Sequence, residues 1–449
     1  MLPTLLSFAA LFTAVFSLMM GIGLLGTHLS LRMTIEGFST QVTGLILSGY
    51  FFGLVSGSFL CHRLIQQVGH IRSFAAFAAV TTAIVMLHGL YISAIAWGIL
   101  RFLTGMATMG LYMVIESWLN ECTVPEKRGR IFSIYMVLAY LGIGIGQQLL
   151  NVGDVRGQSL FFVVGLLLVL CLVPVAVTRS IHPQLPETTR FNLIALFKRA
   201  PMGMLGCLIA GLINSAFYSM GPVFGNQIGL NVSDLSWFMT ATILGGILFQ
   251  WPVGIIADRF DRGYVLSILE ALITIISILI LLSAGGPFIR LLVAMGIFGG
   301  LIFTIYPVSV ARTHDLFEAK DIIPVSSALL LSYGIGASIG PIAASGFMGL
   351  SKSPYGFFIY CALVSGMFAI AGYYLRRKEK ISVVPVEEHV NFRPMRSTSP
   401  VAMVIDPRVE DERSSVSRQV EKSVNPGSPS IPHLKPHLMR VSKTRKRHR

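Results

Sequence analysis

The sequence predicts an all-α membrane protein with twelve transmembrane helices in two pseudo-symmetric six-helix bundles. Three observations carry that expectation. Apolar runs of about twenty residues, each long enough to cross a bilayer as a helix, follow one another from Thr4 to Leu375. Hydrophobic residues make up 53% of the 449 and charged residues 12%, with a mean hydropathy of +0.71, a balance foreign to ordinary soluble domains. Finally, Arg101…Gly110 returns about 190 residues later as Arg290…Gly299, and Gly142-Ile143-Gly144 as Gly334-Ile335-Gly336. Such recurrence marks two halves of like topology, related by an axis along the membrane normal.

The spans are expected at 7–29, 40–62, 73–92, 94–118, 131–151 and 158–178, then at 202–224, 235–257, 264–284, 287–311, 324–348 and 354–375. The first lacks a basic leader and an A-x-A site, so it reads as retained. On its face lie Thr13, Ser17 and Met20. Span four carries the longest polar stripe, Arg101, Thr104, Thr108, Tyr112 and Glu116, at three- and four-residue steps that place them on one helical face. An ionisable group at that depth costs about 2.5–3.5 kcal/mol on insertion scales, so the stripe is expected to line a wet cavity. Tyr140, Gly144, Gln147 and Asn151 form a stripe on span five, Asn214 and Tyr218 lie one turn apart in span seven, and Glu270 sits within span nine. The expected substrate-cavity residues are Thr13, Ser17, Met20, Arg101, Thr108, Tyr112, Gln147, Asn151, Asn214 and Tyr218, with Arg101, Glu116 and Glu270 as candidates for proton coupling.

The longest link, near Arg179 to Ala200, divides a first bundle (1–180) and connecting segment (181–200) from a second bundle (201–375) and a basic tail (376–449) with no sustained periodicity. Positive residues concentrate in alternate links: Arg63, Arg72, Arg130, Arg259, Arg262, Arg312 and the Arg376-Arg377-Lys378 cluster on one side, against Arg32, Arg156 and Lys352 on the other. By the positive-inside rule both termini are cytoplasmic, and the formal charge of +14 calls for no nucleic acid.

The sharpest local signal is Gly254-Ile255-Ile256-Ala257-Asp258-Arg259-Phe260-Asp261-Arg262, between spans eight and nine. It resembles the G-x-x-x-D-R-x-x-R/K loop of the major facilitator superfamily. Its first-half counterpart keeps Arg63, Gly69 and Arg72 but has His62 where the superfamily usually has aspartate. Leu100-Arg101-Phe102-Leu103-Thr104-Gly105 is similar to the R-x-x-x-G element of the superfamily's fourth helix, whose arginine is associated with coupling in proton-linked members. Gly69-His70-Ile71-Arg72 and Glu116-Ser117-Trp118-Leu119-Asn120 resemble the YcaD-like subgroup. The resemblance covers residues 1–375 and implies a bacterial inner-membrane permease whose inner loops (Arg63, Gly69, Arg72; Gly254, Asp258, Arg259, Asp261, Arg262) act as conformational switches.

No H-E-x-x-H, G-x-S-x-G or P-loop motif occurs, so neither enzymatic chemistry nor ATP hydrolysis is expected. Five scattered cysteines without a C-x-x-C pair suggest no metal, and no cofactor is expected. The function expected is secondary active transport of a small organic solute, as proton-coupled export, by a monomer in the lipid bilayer. The alternatives are proton-coupled import and a non-transporting receptor or scaffold on the same fold.

Overall fold

Hydrocarbon offers no water to backbone amides, so a chain this apolar must satisfy them within helices. A computed structural model describes residues 2–123, 127–177, 193–317, 319–378 and 392. Its first half contains α1 (Leu2–Ile35), α2 (Thr40–Val68), α3 (His70–Leu90), α4 (Ala94–Cys122), α5 (Arg128–Gln148, extended by a 3-10 turn Leu149–Val152), α6 (Ser159–Leu170) and α7 (Leu172–Val177). The short α8 (Leu193–Arg199) precedes the second half: α9 (Pro201–Gln227), α10 (Val232–Arg259), α11 (Arg262–Leu282), α12 (Phe288–His314), α13 (Ala319–Ser351) and α14 (Gly356–Lys378).

Eleven of these helices are long and apolar enough to cross a membrane, and the shorter apolar segment Ser159–Val175 stands where the sixth span is expected. The ends differ from expectation where helices continue beyond their apolar core: α1 runs to Ile35 and α2 to Val68. The connecting segment contains α8, while residues 178–192 of that region and, apart from Phe392, the tail beyond Lys378 lie outside the described residues.

Polar side chains start helices at their ends. Ser39 caps α2 by accepting the Val42 amide at 3.3 Å, and Asn231 caps α10 by accepting that of Asp234 at 2.8 Å. Between α2 and α3 a single residue makes the turn, and Gly69 takes φ +91° there, which a β-carbon would oppose.

The halves repeat one packing plan. α1 packs on α5 as α9 does on α13, and α2 on α4 as α10 does on α12. Glycine sets these approaches: Gly142 faces Met19 and Phe16 of α1, while Gly336 faces the Leu208 carbonyl of α9. On α2 and α4, Gly53 faces the Phe102 carbonyl and Gly105 the Tyr50 carbonyl, leaving no room for side chains. The recurring Gly110 and Gly299 do not share a contact, since Gly110 meets the Phe77 ring of α3 and Gly299 the Thr242 backbone of α10. Large apolar side chains turned outward, such as Ile95, Leu248 and Leu282, present the helices to lipid.

Gly105→Val should therefore force α2 and α4 apart, at a cost of about 1–3 kcal/mol. Thermal denaturation followed by size-exclusion chromatography in detergent should show a lower midpoint than for Gly98→Val, at a position with open space around it.

Candidate functional site

A cavity of ≈ 680 Å³ lies between the halves, inside the range of about 300–1,000 Å³ usual for small-molecule sites. Its walls come chiefly from α1, α2, α4 and α5 on one side and α9, α12 and α13 on the other. Arg101 projects from α4, only 5% exposed, with its guanidinium 4.6 Å from the centre of the Tyr50 ring on α2. The close approach at Gly53 and Gly105 brings that ring within reach. Arg101 Nε is buried without a hydrogen-bond partner. Across the cavity, Phe303 sits 5.9 Å from Tyr140 and 5.5 Å from Tyr218, centroid to centroid, and Tyr306 lies 5.2 Å from Tyr333. The side-chain oxygen of Asn214 is buried and has no partner among the described residues.

Of the residues expected here, Arg101, Tyr112, Asn214 and Tyr218 line the cavity. Thr13, Ser17, Met20, Thr108, Gln147 and Asn151 lie off it. Thr13 is on an exposed face and Ser17 donates to the Leu167 carbonyl at 2.8 Å, so α1 turns Gly21, Ile22, Gly26 and Thr27 inward instead. Gln147 is a brace, accepting from Thr27 at 2.5 Å and donating to the Gly23 carbonyl at 3.1 Å. Neither Glu116 nor Glu270 reaches the cavity wall. Glu116 accepts from Tyr135 at 2.8 Å, bridging α4 and α5, and the neighbouring Ser117 bonds His70 at 3.0 Å. Glu270 is fully buried on α11, which packs against α14, and neither carboxylate oxygen has a partner among the described residues.

The two ends of the cavity differ. At the end bearing the α2–α3 and α10–α11 turns, here the basic end, it is bordered by Ser58, His62 and Arg63 of α2 and by Pro324 and Ser327 of α13. At the opposite end neutral side chains tie the halves together. Gln148 donates to Thr240 at 2.7 Å, Asn151 to Ser236 at 2.9 Å and Gln227 to Thr40 at 3.1 Å. Asn151 thus belongs to this closure.

At the basic end, the charged loop of the second half is paired within its own bundle. Arg262, with its side chain shut from solvent, bridges Asp258 and Asp315, each at 2.6 Å, and caps the Ala257 and Ala311 carbonyls. Asp261 starts α11 by accepting the Gly263 amide at 2.8 Å and pairs with Arg376 of α14 at 2.6 Å. The Phe392 amide donates to Asp258 at 2.9 Å, and its ring covers Gly254. Arg259 is exposed, as are Arg63 and Arg72 in the first half.

Tyr50, Phe303, Tyr306 and Tyr333 were not legible as cavity residues, because isolated aromatics in apolar helices read as packing. Asp315 and Arg376 gave a weak signal, being charges just beyond spans ten and twelve.

A family model for the Major Facilitator Superfamily matches residues 11–234 and again 205–408. The chain belongs to this superfamily. YcaD, an MFS-type transporter of Escherichia fergusonii, is 30% identical over 327 residues, which cover 72% of this chain and 84% of that protein. The same figures hold for YcaD of Shigella flexneri, and the chain falls in this YcaD-like group. Among solved structures, the nucleoside transporter NupG superposes with a TM-score of 0.71 at 14% identity, over 84% of this chain and all of that one. A bacterial homologue of the lysosomal transporter Spinster, inward-facing and unoccupied, gives 0.64 at 14% identity over 86% of this chain and 98% of its own. In the Gly254–Arg262 segment, Asp258 is engaged by Arg262 and the Phe392 amide, and Asp261 by Arg376.

Burial opposes the charge on Asp261, but hydrogen bonds from Arg376 and the Gly263 amide, with the nearby positive charges of Arg376 and Arg312, hold its carboxyl below the usual range. A depressed carboxyl contributes stability above its unfolded pKa and loses it as pH falls through its folded pKa. Asp261→Asn should therefore lower the melting point fully at pH 7, with the gap to the parent closing below about pH 4. Paired melts across pH 3–8 would show it.

Proposed function

We propose that the chain is a secondary active transporter of the bacterial inner membrane, moving a small organic solute by alternating access between its two six-helix halves. The carrying observation is the cavity between the halves, bordered by ionisable side chains at the basic end while side-chain bonds between the halves close the opposite end. The positive-inside rule makes the basic end cytoplasmic and places both termini in the cytoplasm, so the cavity faces inward. An inward-facing site loads from the cytoplasm, and export coupled to proton entry is the working direction we assign. Glu270, buried without a partner among the described residues, is the proposed proton carrier, while Glu116 holds α4 to α5.

Two measurements test this. Ser327 borders the cavity at the basic end, and a cysteine placed there should react with an impermeant maleimide from the cytoplasmic side in inverted vesicles. Labelling from the outside should appear only when the halves rock. A disulfide between Thr40→Cys and Gln227→Cys, whose parent side chains are bonded at 3.1 Å, should abolish outside labelling, and reduction should restore it. Outside labelling that ignores the disulfide would sink alternating access.

For coupling, Glu270→Gln should remove the dependence of solute flux on an imposed pH gradient in proteoliposomes while leaving solute counterflow. Flux in the parent that is indifferent to the gradient would remove the proton from the scheme.

A further inference from the structure

Among the described residues, Arg101 is a charge without a counter-charge. No described residue accepts a hydrogen bond from its side chain, and the described cavity wall contains Arg101, Arg63 and His62 but no aspartate or glutamate. Tyr50 covers one face of the guanidinium, leaving the N–H edge, which binds planar anions through paired hydrogen bonds. An unmatched cation in a membrane cavity is costly, and an anionic solute would remove that cost on binding.

The remaining wall specifies the rest of the solute. Phe303 with Tyr140 and Tyr218 forms an aromatic group suited to a flat apolar body. The buried Asn214 oxygen lacks a donor, which a solute N–H or O–H would supply. At the mouth, the exposed Arg63 adds positive potential that draws anions inward. An inorganic anion would satisfy Arg101 but leave the aromatic wall and most of the ≈ 680 Å³ unused.

We propose that the solute is an organic anion, a carboxylate or its equivalent on a flat apolar body with one hydrogen-bond donor, held head-first on Arg101. This deepens the transport reading above and rests on the same cavity.

The test uses matched charge isosteres on the full chain in detergent: indole-3-acetate, 4-hydroxybenzoate and 6-hydroxy-2-naphthoate, each with its primary amide and its aminomethyl cation. Binding is read by calorimetry and by thermal shift. At least one carboxylate should bind about tenfold or more tighter than its amide and cation. Arg101→Gln should erase that preference, and Arg101→Lys should retain part of it. Should Arg101→Gln fail to give a monodisperse peak, the isostere comparison on the parent and on Arg101→Lys still decides. Amides or cations binding equally well, no carboxylate binding at 10 mM, or an unchanged preference in a folded Arg101→Gln would each overturn the proposal.

Flux of the same compounds in proteoliposomes separates the two readings. Carboxylate binding without flux would leave the anion site standing and remove transport. Flux without charge preference would do the reverse.

Discussion

A guanidinium held inside the membrane region is the constraint around which the first half is packed. On insertion scales a charge at that depth costs about 2.5–3.5 kcal/mol, and stacking on a desolvated aromatic face returns about 2 kcal/mol. The stack exists because Gly53 and Gly105 let α2 and α4 touch backbone to backbone, bringing Tyr50 under Arg101. Two glycines thus fix the chemistry of a side chain that neither of them touches directly. The described residues of the second half contribute no such charge to the cavity wall; there Phe303, Tyr306 and Asn214 face the same space.

Charge in the second half is instead gathered at the rim and bonded inward. Arg262 and Asp315 are both shut from solvent and joined at 2.6 Å, a pair whose disruption would strand a buried charge at a cost of about 3–5 kcal/mol. Its partners lie on α10, α11 and the end of α12, all within one bundle, so the network stiffens a body. The ties between bundles are of another kind: uncharged bonds of amide to hydroxyl and hydroxyl to carbonyl, each worth about 0.6–1.7 kcal/mol in a membrane. Strong bonds inside a bundle and weak ones between bundles are what rigid-body rocking requires, since only the weak set must break and reform.

The crossings were legible in the sequence because hydrocarbon imposes their length and composition. Their ends were less so, since α1 and α2 continue into residues whose polarity looked like loop. In the site, Arg101 and Tyr112 could be found because a charge and a polar stripe at helical spacing are rare in a membrane helix. Ser17 and Gln147 show why the same signal misleads: a hydroxyl or amide that braces two helices has the same spacing as one that faces a cavity. The inward face of α1 is built mostly from Gly21, Ile22 and Gly26, residues with nothing polar to announce them, and Thr27 is its one hydroxyl among the described lining residues. Tyr50 was invisible for a different reason. Its significance depends on Arg101, which lies on another helix, and pairing between helices leaves no local period.

The half-matched loop motifs acquire a physical meaning in this arrangement. In the second half Asp258 and Asp261 pair with Arg262 and Arg376 while Arg259 stays exposed, and in the first half His62 stands beside Arg63, exposed at the cavity mouth. Among the described residues the cavity wall is therefore positive along a line from Arg63 to Arg101, with no carboxylate beside it. On the anion reading, the empty carrier must desolvate Arg101 further to close over it, while the occupied carrier closes over a neutral pair. The differential favours closure only with solute bound, and a ligand shifts a two-state equilibrium by no more than such a difference. The missing aspartate at position 62 then serves the cavity: a carboxylate there would compete with the solute for the same positive path.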